Sequence, residues 1–194
     1  MKVKVSQLKH HPLNERIYSL SGIESLMESI QQVGLLEPPT VNQFFEVVSG
    51  NRRFESIKRL GWKQIDVHQI NVKKGDEVLT LIHFNRQRIK TTQELLNEYF
   101  ELESYHRKKG VGKGVRIRGI VSDEIKVTDG QLARIIYIHK RNPEFIKLID
   151  QGILSINQAY LTLRREEEDK KSRESITEHK SIKISKNDLF KFYQ

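Results

Sequence analysis

Residues 47–62, VVSGNRRFESIKRLGW, form the segment that decides the fold of this 194-residue chain. Its apolar start predicts a β-strand, and the apolar spacing after Gly50 predicts a helix that ends at Gly61. A glycine at such a strand–helix junction lets the backbone turn tightly and approach a ligand closely. The segment therefore predicts a binding site at this junction.

Two arginines occupy the first turn of this predicted helix. The amides at a helix N-terminus favour an anion, and Arg52 and Arg53 can add bidentate contacts to a phosphate group. Adjacent arginines in a first turn oppose the helix dipole, which also favours an anionic partner. Pairing of the arginines with surface carboxylates such as Glu55 would explain the same residues, and both interpretations stay open.

Outward from this segment, the first 90 residues predict interleaved strands and helices. The predicted strands cover residues 3–5, 40–43 and 45–49, with a further strand marked by Ile65, Val67 and Val72. The other predicted helices begin at a capping box of Ser21 and Glu24, with an end at Gly34, and at Asp76. This alternation, with a hairpin between two strands, is typical of a small mixed α/β domain.

Beyond residue 90 the strand signal fades and capped helices follow one another. The start signals are Thr91 with Glu94, Thr128, Asn142 before Pro143, and Ser155 with Gln158, and a short helix is predicted over residues 117–125. The charged run from Arg165 predicts a solvated helix end or a linker. The predicted fold class is therefore α+β, with a mixed α/β domain over residues 1–90, an all-α domain over 91–164 and a charged tail or helix over 165–194.

The net charge of +9 is concentrated in one part of the chain. Residues 104–141 carry 10 basic and 3 acidic side chains, whereas residues 1–103 and 142–194 each have a net charge of +1. Such a patch favours a nucleic acid or another polyanion, although a flexible solvated loop would have the same composition. The absence of cysteine excludes a disulfide scaffold and a thiol nucleophile, and no apolar run reaches the roughly 18 residues of a membrane span.

Two further polar sets carry less specific signals. Residues 83–88, HFNRQR, could contact a metal or phosphate oxygens, but a helix that ends in polar residues has the same letters. His10 and His11 raise a metal hypothesis, but neither has a second ligand at i+4, so no metal site is predicted there. The glycine-rich residues 110–114 lack the spacing of a P-loop.

Taken in order, these sets resemble the N-terminal domain of the ParB family of chromosome and plasmid partition proteins, which shares its fold with sulfiredoxin. Residues 47–62 are similar to the family's strand, Gly-x-Arg-Arg and helix ending in Leu-Gly-Trp. Residues 33–39, VGLLEPP, resemble the segment that frames a nucleotide base, and residues 81–88 resemble the family's Leu-x-Glu-Asn-x-x-Arg box. Residues 145–161 resemble the end of the family's helix-turn-helix domain.

The resemblance covers about residues 1–164 and implies a ParB/sulfiredoxin-like nucleotide-binding domain followed by a helix-turn-helix domain. The family's domain binds a nucleoside triphosphate, usually CTP with Mg²⁺, and binding lets two protomers close into a clamp around DNA. By position, the nucleotide site comprises Arg16, Gly34, Leu36, Pro38, Gly50, Asn51, Arg52, Arg53, Asn85 and Arg88. Within that set Asn85 would approach the metal, and Gly34, Leu36 and Pro38 would line the base.

The chain departs from the family's pattern in three respects. Phe84 stands where the family often has a Glu that is tied to metal coordination and hydrolysis, so a weak CTPase is the activity left open, with His83 as the only substitute base. Glu37 stands where Gln is common, which leaves the base identity open. The family's C-terminal dimerisation domain is not recognisable after residue 164, as expected for a short variant or a truncated chain.

The helical part predicts a DNA-binding surface. Thr128, Gln131 and Arg134 fall on about one helix face, and glutamine and arginine read adenine and guanine in the major groove. An ordinary solvent face of a core helix would show the same spacing. Contacts to the DNA backbone are expected from Lys108, Lys109, Lys113, Arg116 and Arg118.

The sequence thus predicts a ParB-like DNA-binding protein that acts in plasmid or chromosome partition or in mobile-element regulation, with a CTP-type pocket that gates a DNA clamp. Expected partners are double-stranded DNA, a nucleotide, a second copy of the chain and a partner ATPase. The expected location is cytoplasmic, on the nucleoid or a plasmid and not at a membrane. The alternatives are an NTP-dependent kinase or nuclease on the same fold, and a transcriptional regulator that has lost nucleotide binding.

Overall fold

A computed structural model of the chain describes residues 1–111 and 115–191, with side chains as far as residue 174. Its strands are β1 (Lys2–Lys4), β2 (Lys9–His10), β3 (Thr40–Val41), β4 (Glu46–Ser49), β5 (Gln64–Asp66) and β6 (His68–Gln69). Its helices are α1 (Pro12–Ile17), α2 (Ile23–Val33), α3 (Asn51–Arg59), α4 (Glu77–Phe84), α5 (Thr92–Lys108), α6 (Ile117–Ile125), α7 (Asp129–Arg141), α8 (Glu144–Asp150) and α9 (Ile156–Lys191). A mixed α/β part followed by helices confirms the predicted fold class.

The chain forms two compact units, Met1–Leu132 and Ala133–Gln194, and the division falls within α7. All the strands and the helices α1 to α6 belong to the first unit. The domain limits predicted at residues 90 and 164 stay predictions.

Four strands of the first unit form a mixed sheet in the order β2-β4-β3-β6. β3 and β4 are antiparallel, whereas β2 runs parallel to β4 and β6 runs parallel to β3. β1 and β5 form a separate antiparallel pair. The β3–β4 pair confirms the predicted hairpin, and β4 leads directly into α3.

The core of the first unit holds α3 against the sheet. Val41 and Val47 of the central strands and Phe54 and Ile57 of α3 are buried in one apolar cluster, and α2 packs against α3. Full burial of such side chains stabilises a fold by about 1.5–3 kcal/mol each. This burial fixes the position of the first turn of α3, where the sequence predicts the binding site.

The start of α2 differs from the prediction. The helix begins at Ile23, and the residue before it, Gly22, is in the left-handed conformation at φ 68° with no cap from a described side chain, so the predicted capping box of Ser21 and Glu24 is wrong. Arg52 donates a hydrogen bond of 2.8 Å to the carbonyl oxygen of Gly22. The turn before α2 is therefore held by a side chain from α3 instead of by a local cap.

The start of α5 is as the sequence predicts. Thr91 and Glu94 form a complete capping box, in which Thr91 Oγ1 accepts from the Glu94 amide at 3.1 Å. One turn later, Glu98 is fully buried and lies 2.8 Å from the ammonium group of Lys90, whose side chain is 5% exposed. The hydroxyl group of Tyr18 also donates to Glu98. We call Tyr18, Lys90 and Glu98 the buried ionic cluster.

The second unit is built from helices. The Tyr137 hydroxyl donates to Glu167 of α9 at 2.7 Å, and the two aromatic rings of Tyr137 and Tyr160 pack edge to face. Ser155 and Gln158 cap the start of α9 as predicted. The charged run after Arg165 continues this helix. Across residues 1–111 and 115–191, none of the helices has both the length and the apolar character that a bilayer span needs.

Candidate functional site

A pocket of about 420 Å³ lies where the end of α2, the first turn of α3 and the end of α4 meet. It brings together most of the residues that the resemblance assigns to the nucleotide site. Those that line it are Gly34, Leu36, Gly50, Asn51, Arg52, Arg53, Asn85 and Arg88. They come from separate stretches of sequence, so the fold alone makes them neighbours.

Two residues of the predicted set do not line this pocket. Arg16 forms an ion pair with Glu101 of α5, and Pro38 lies in the loop between α2 and β3, outside the lining. Asn14 of α1, which the sequence analysis did not single out, does line it. His10 and His11 were considered as metal ligands in the sequence analysis, but neither lines the pocket, whereas Asn14 does.

The pocket depends on the backbone turn at Gly50, between β4 and α3. Gly50 has φ 83°, in the left-handed region that L residues rarely adopt. A Cβ atom at this position would lie 3.1 Å from the Cα atom of Pro39 and 3.2 Å from the Nε atom of Arg53. The glycine therefore permits both the turn and the close packing beneath the arginine.

Substitution of Gly50 by alanine is expected to lower the free energy of unfolding by about 2 kcal/mol, from the left-handed conformation and from contact with Pro39. Gly61→Ala is the matched control, because Gly61 has φ 72° and no described atom lies within 4 Å of the point that its Cβ would occupy. It should cost only the backbone strain of about 1 kcal/mol. Urea unfolding of both variants measures the difference, and equal losses would contradict the packing argument.

Arg52 brings an uncompensated positive charge to the pocket. Its guanidinium donates to the carbonyl oxygen of Gly22, and no carboxylate among the described side chains lies within 4 Å of it. Its Nε atom is buried and has no hydrogen-bond partner in the described part of the chain. A buried donor without an acceptor costs about 1–3 kcal/mol, which a bound anion recovers only if the side chain turns so that the donor reaches it.

The positive charge of the neighbouring arginine, Arg53, is compensated by a carboxylate. Arg53 donates to the carbonyl oxygen of Glu37 at 2.6 Å and to its carboxylate at 2.5 Å. Glu55, which the sequence analysis offered as a partner for these arginines, instead binds Arg59 at 2.9 Å. The carboxylate alternative thus describes Arg53, with a different partner, and does not describe Arg52.

Arg88 approaches the pocket from the segment between α4 and α5. Its Nη2 atom donates to the Ser19 carbonyl at 2.9 Å and to Glu94 at 2.8 Å, and its guanidinium lies 5.2 Å from the centre of the Tyr18 ring. Within residues 1–111 and 115–174, its buried Nε atom has no partner, and neither has the Nδ2 atom of Asn14. Asn14, Arg52 and Arg88 therefore line one pocket, and each has a buried nitrogen donor without a partner among the described residues.

Asn85 lies at the C-terminal end of α4, and its amide orientation is fixed. Its Nδ2 atom donates to the carbonyl oxygens of Leu81 at 2.8 Å and Val48 at 3.3 Å, which leaves Oδ1 as the atom available to a ligand. The adjacent Phe84 also lines the pocket and is 46% exposed. The role of Asn85 as a metal ligand stays a prediction.

Asn51 is held from behind by a histidine. Its Oδ1 atom lies 2.7 Å from His10 Nδ1, and its Nδ2 atom donates to the Val47 carbonyl at 3.2 Å. The Nε2 atom of His10 lies 3.3 Å from the Glu55 carboxylate. His10 thus positions the first turn of α3 and has both ring nitrogens engaged by protein groups.

His83, the substitute base considered in the sequence analysis, is not among the residues that line the pocket. Its Nε2 atom lies 2.9 Å from Arg86 Nη2. Burial, together with the positive charge of Arg86, lowers the pKa of His83 below its ordinary value. The pocket residues, all within 1–111, include one carboxylate, that of Glu37, and no histidine.

The other end of the pocket is apolar. Val33 and Leu36 are exposed hydrophobic residues, with Leu36 at 83% exposure, and both line the cavity together with Leu26 and Ile30. An apolar lining suits the face of a planar ring, and guanidinium groups and the start of α3 line the same pocket. The arrangement can bind a ligand that combines a ring with an anionic group.

Several of the residues predicted to contact DNA form ion pairs with carboxylates of the chain. Lys109 pairs with Asp76 at 2.9 Å, while Arg116 and Arg118 share Asp129 at 2.8 and 2.7 Å. Lys108 is exposed, and Lys113 lies outside the described residues. Thus one carboxylate serves two arginines near the start of α7, and the local charge stays positive.

The predicted base-reading residues are placed differently from one another. Thr128 Oγ1 accepts a hydrogen bond of 3.1 Å from the Gln131 amide, which confirms Thr128 as the cap of α7. Arg134 belongs to the second unit, where its guanidinium lies 5.8 Å from the centre of the Tyr160 ring. Their role in reading bases stays a prediction.

Comparison with known proteins gives matches across most of the chain. The sequence model of the ParB N-terminal domain matches residues 1–83. A probable chromosome-partitioning protein ParB of Chlamydia muridarum is 25% identical over 183 residues, which cover 87% of this chain and 61% of that protein. A nucleoid occlusion protein of a Geobacillus species is 26% identical over 112 residues, 54% of this chain and 40% of the relative. The matched regions thus span less than two thirds of these relatives.

Solved structures show the same fold at low sequence identity. A pNOB8-like ParB N-domain superposes with a TM-score of 0.63 at 12% identity, covering 82% of this chain and 77% of the other. A C-terminally truncated ParB of Caulobacter crescentus, complexed to the centromeric parS site, superposes with a TM-score of 0.54 at 16% identity. That match covers 85% of this chain and 99% of the other.

Proposed function

We propose that this chain, whose residues 1–83 match the ParB N-terminal domain, is a DNA-binding partition or nucleoid-occlusion protein of the ParB family and that its N-terminal pocket binds a nucleoside triphosphate such as CTP. The observation that carries the nucleotide part is that three residues lining one pocket, Asn14, Arg52 and Arg88, each carry a buried nitrogen donor without a partner among the described residues. A phosphate group offers the acceptors that these donors lack.

The proposed binding mode uses the two ends of the pocket. Phosphate oxygens accept hydrogen bonds from Arg52, Arg88 and Asn14 and from the amides at the start of α3, where Gly50 allows close approach. The base packs against the apolar end formed by Val33 and Leu36. Glu37 lies beside that end and influences which base is accepted. Titration calorimetry with CTP, ATP and GTP tests the proposal, and the absence of binding by all three would refute it.

The DNA part of the proposal rests on charge and on the match to the ParB N-terminal domain. Residues 104–141 hold most of the excess positive charge of the chain. The Caulobacter relative of the same fold is complexed to the parS site. We assign phosphate contacts to Lys108, Lys109, Lys113, Arg116 and Arg118, and contacts to base edges to Thr128, Gln131 and Arg134. Two copies of the chain close around DNA when nucleotide is bound, and a partner ATPase acts on the assembly.

Binding to a 30-base-pair duplex of arbitrary sequence is expected to weaken steeply with salt. If about five phosphates are neutralised, the slope of log K against log salt should be about −4 to −5. Arg116→Ala should reduce the magnitude of the slope by about 1. Lys9→Ala is the matched control, because Lys9 also pairs with a carboxylate, Glu46, but lies outside the basic segment. Fluorescence anisotropy from 50 to 300 mM salt measures the slopes, and salt-independent binding would contradict the proposal.

An enzyme on the same fold is less well supported. A kinase or nuclease needs a general base or metal-binding carboxylates in the pocket. Glu37, the carboxylate among the pocket residues, is bound by Arg53, and Phe84 presents a hydrocarbon ring beside Asn85. We therefore expect little release of phosphate from CTP or ATP, with or without DNA. Rapid multiple turnover would favour the enzyme alternative.

A further inference from the structure

The part of the pocket that is proposed to bind phosphate is lined by residues that donate hydrogen bonds. Two of its three unpaired nitrogens, Arg52 Nε and Arg88 Nε, belong to guanidinium groups, which can donate hydrogen bonds but cannot accept them. The third, Asn14 Nδ2, is a donor on a side chain that is 2% exposed. A divalent cation and its bound waters need the opposite chemistry, namely oxygen acceptors.

The oxygen atoms around the pocket do not form a Mg²⁺ site. In nucleotide sites Mg²⁺ usually keeps several waters and is bound through one or two protein carboxylates together with phosphate oxygens of the substrate. Glu37, the carboxylate among the pocket residues in the range 14–88, has a side chain that is 77% exposed and is bound by Arg53. Asn85 offers a single neutral oxygen, and its neighbour Phe84 offers none. Among the described residues, no group of three His, Cys, Asp or Glu side chains could hold a metal ion.

The positive charge needed by a polyphosphate is already present on side chains. Arg52 has no carboxylate within 4 Å among the described side chains, so its charge is available to a ligand. Arg88 lines the pocket and pairs with Glu94 through one nitrogen, while its buried Nε atom has no partner among the described residues. The nine-residue helix α3 adds the positive end of its dipole at the same place.

From this donor set we propose that the pocket binds the nucleotide as a free polyanion, without a divalent cation. This inference rests on the proposed nucleotide-binding function and concerns how the phosphate charge is balanced. Arginine side chains take the role that Mg²⁺ has when carboxylates line a phosphate site. The residues present therefore do not fit the Mg²⁺ that the family resemblance implies.

The direct test is the affinity of the wild-type chain for CTP in two buffers, one with 5 mM MgCl₂ and one with 5 mM EDTA. The dissociation constants, measured by calorimetry at equal ionic strength, should agree within about threefold, with the EDTA value equal or lower. Binding that is more than about tenfold weaker in EDTA would overturn the inference. ATP or GTP replaces CTP as the probe if it binds more tightly.

A second test uses substitutions of Phe84 to make nucleotide binding depend on Mg²⁺. Phe84→Glu places a carboxylate beside Asn85, so binding in EDTA should weaken by about tenfold through repulsion, and Mg²⁺ should restore it. Phe84→Gln is the matched control, since it has the same length as the glutamate without its charge, and it should stay insensitive to EDTA. Because Phe84 is 46% exposed, both variants should fold, which their melting temperatures check.

The outcomes separate this inference from the proposed function. Nucleotide binding that occurs only with Mg²⁺ overturns the inference and leaves the proposed function intact. Absence of nucleotide binding in both buffers overturns the two together. If Phe84→Glu binds equally well in both buffers, a carboxylate at that position does not create metal dependence, and the argument from the residue at position 84 is contradicted.

Discussion

Lys90→Met is expected to lower the free energy of unfolding by about 3–5 kcal/mol, because it leaves the carboxylate of Glu98 buried without its counter-charge. Glu98 is fully buried in the buried ionic cluster, and the Lys90 ammonium lies 2.8 Å from it. Within that cluster, Tyr18 would then remain as the hydrogen-bond donor to the carboxylate. Urea unfolding at pH 7 measures the loss.

The size of this loss should depend on pH. Burial raises the pKa of Glu98 in the folded state above its ordinary value. A raised folded-state pKa means that Glu98 favours the folded state below the unfolded-state pKa, and that this contribution disappears as pH rises through the folded-state pKa. Removal of Lys90 should therefore lower the free energy of unfolding most above that pKa. Acidification through the pKa should reduce the difference from the wild type.

Two variants control for the loss of lysine itself. Lys147→Met removes a lysine that is 68% exposed and pairs with Glu144 on the surface of α8, so it should change stability by less than about 0.5 kcal/mol. The double substitution Lys90→Met with Glu98→Gln removes both charges and should recover most of the loss. A double variant as unstable as Lys90→Met alone would show that packing, not charge, explains the effect.

Arg52→Ala is expected to weaken nucleotide binding by about 100-fold, because charge-assisted hydrogen bonds contribute about 1.5–3 kcal/mol each. Arg52→Lys keeps the charge but lacks the Nε donor and the planar fork, so an intermediate loss of about tenfold is expected. Calorimetry with CTP at constant salt measures both affinities. Urea unfolding of both variants is measured as well, because Arg52 also donates to Gly22 at the turn before α2.

Arg59→Ala is the matched control for this series. Arg59 lies on the same helix α3, pairs with Glu55 at 2.9 Å and is not among the pocket residues. Its removal should leave the affinity for CTP within about twofold of the wild type. If Arg52→Lys binds as tightly as the wild type, the unpaired Nε atom is irrelevant to the ligand.

The fold was predictable from the sequence wherever the signals were local. The β3–β4 hairpin, the turn at Gly50 and the caps at Thr91 and Thr128 each follow from residues within a few positions of one another. The start of α2 was not predictable in this way. Ser21 and Glu24 have the spacing of a capping box, but the turn is held by Arg52, which is 30 residues away in sequence.

The candidate site was predictable as far as its motif residues extend. The Gly-Asn-Arg-Arg sequence places Arg52 and Arg53 correctly at the start of α3, but their different roles depend on Glu37, which no local pattern connects to Arg53. Asn14 was missed for a related reason. Its unpaired amide is significant only because α1 is packed beside the pocket, and that is a property of the fold.

Two separate roles constrain the residue at position 88, one in folding and one at the pocket. The Nη2 atom of Arg88 connects Ser19 to Glu94, and the residue also lines the pocket. Selection for folding alone is then enough to keep an arginine at this position. A related chain that has lost its ligand would still retain the arginine, so the residue at position 88 does not distinguish binders from non-binders. At position 52 the guanidinium donates to one exposed carbonyl among the described residues, so the fold depends less on this arginine and position 52 is the more informative one.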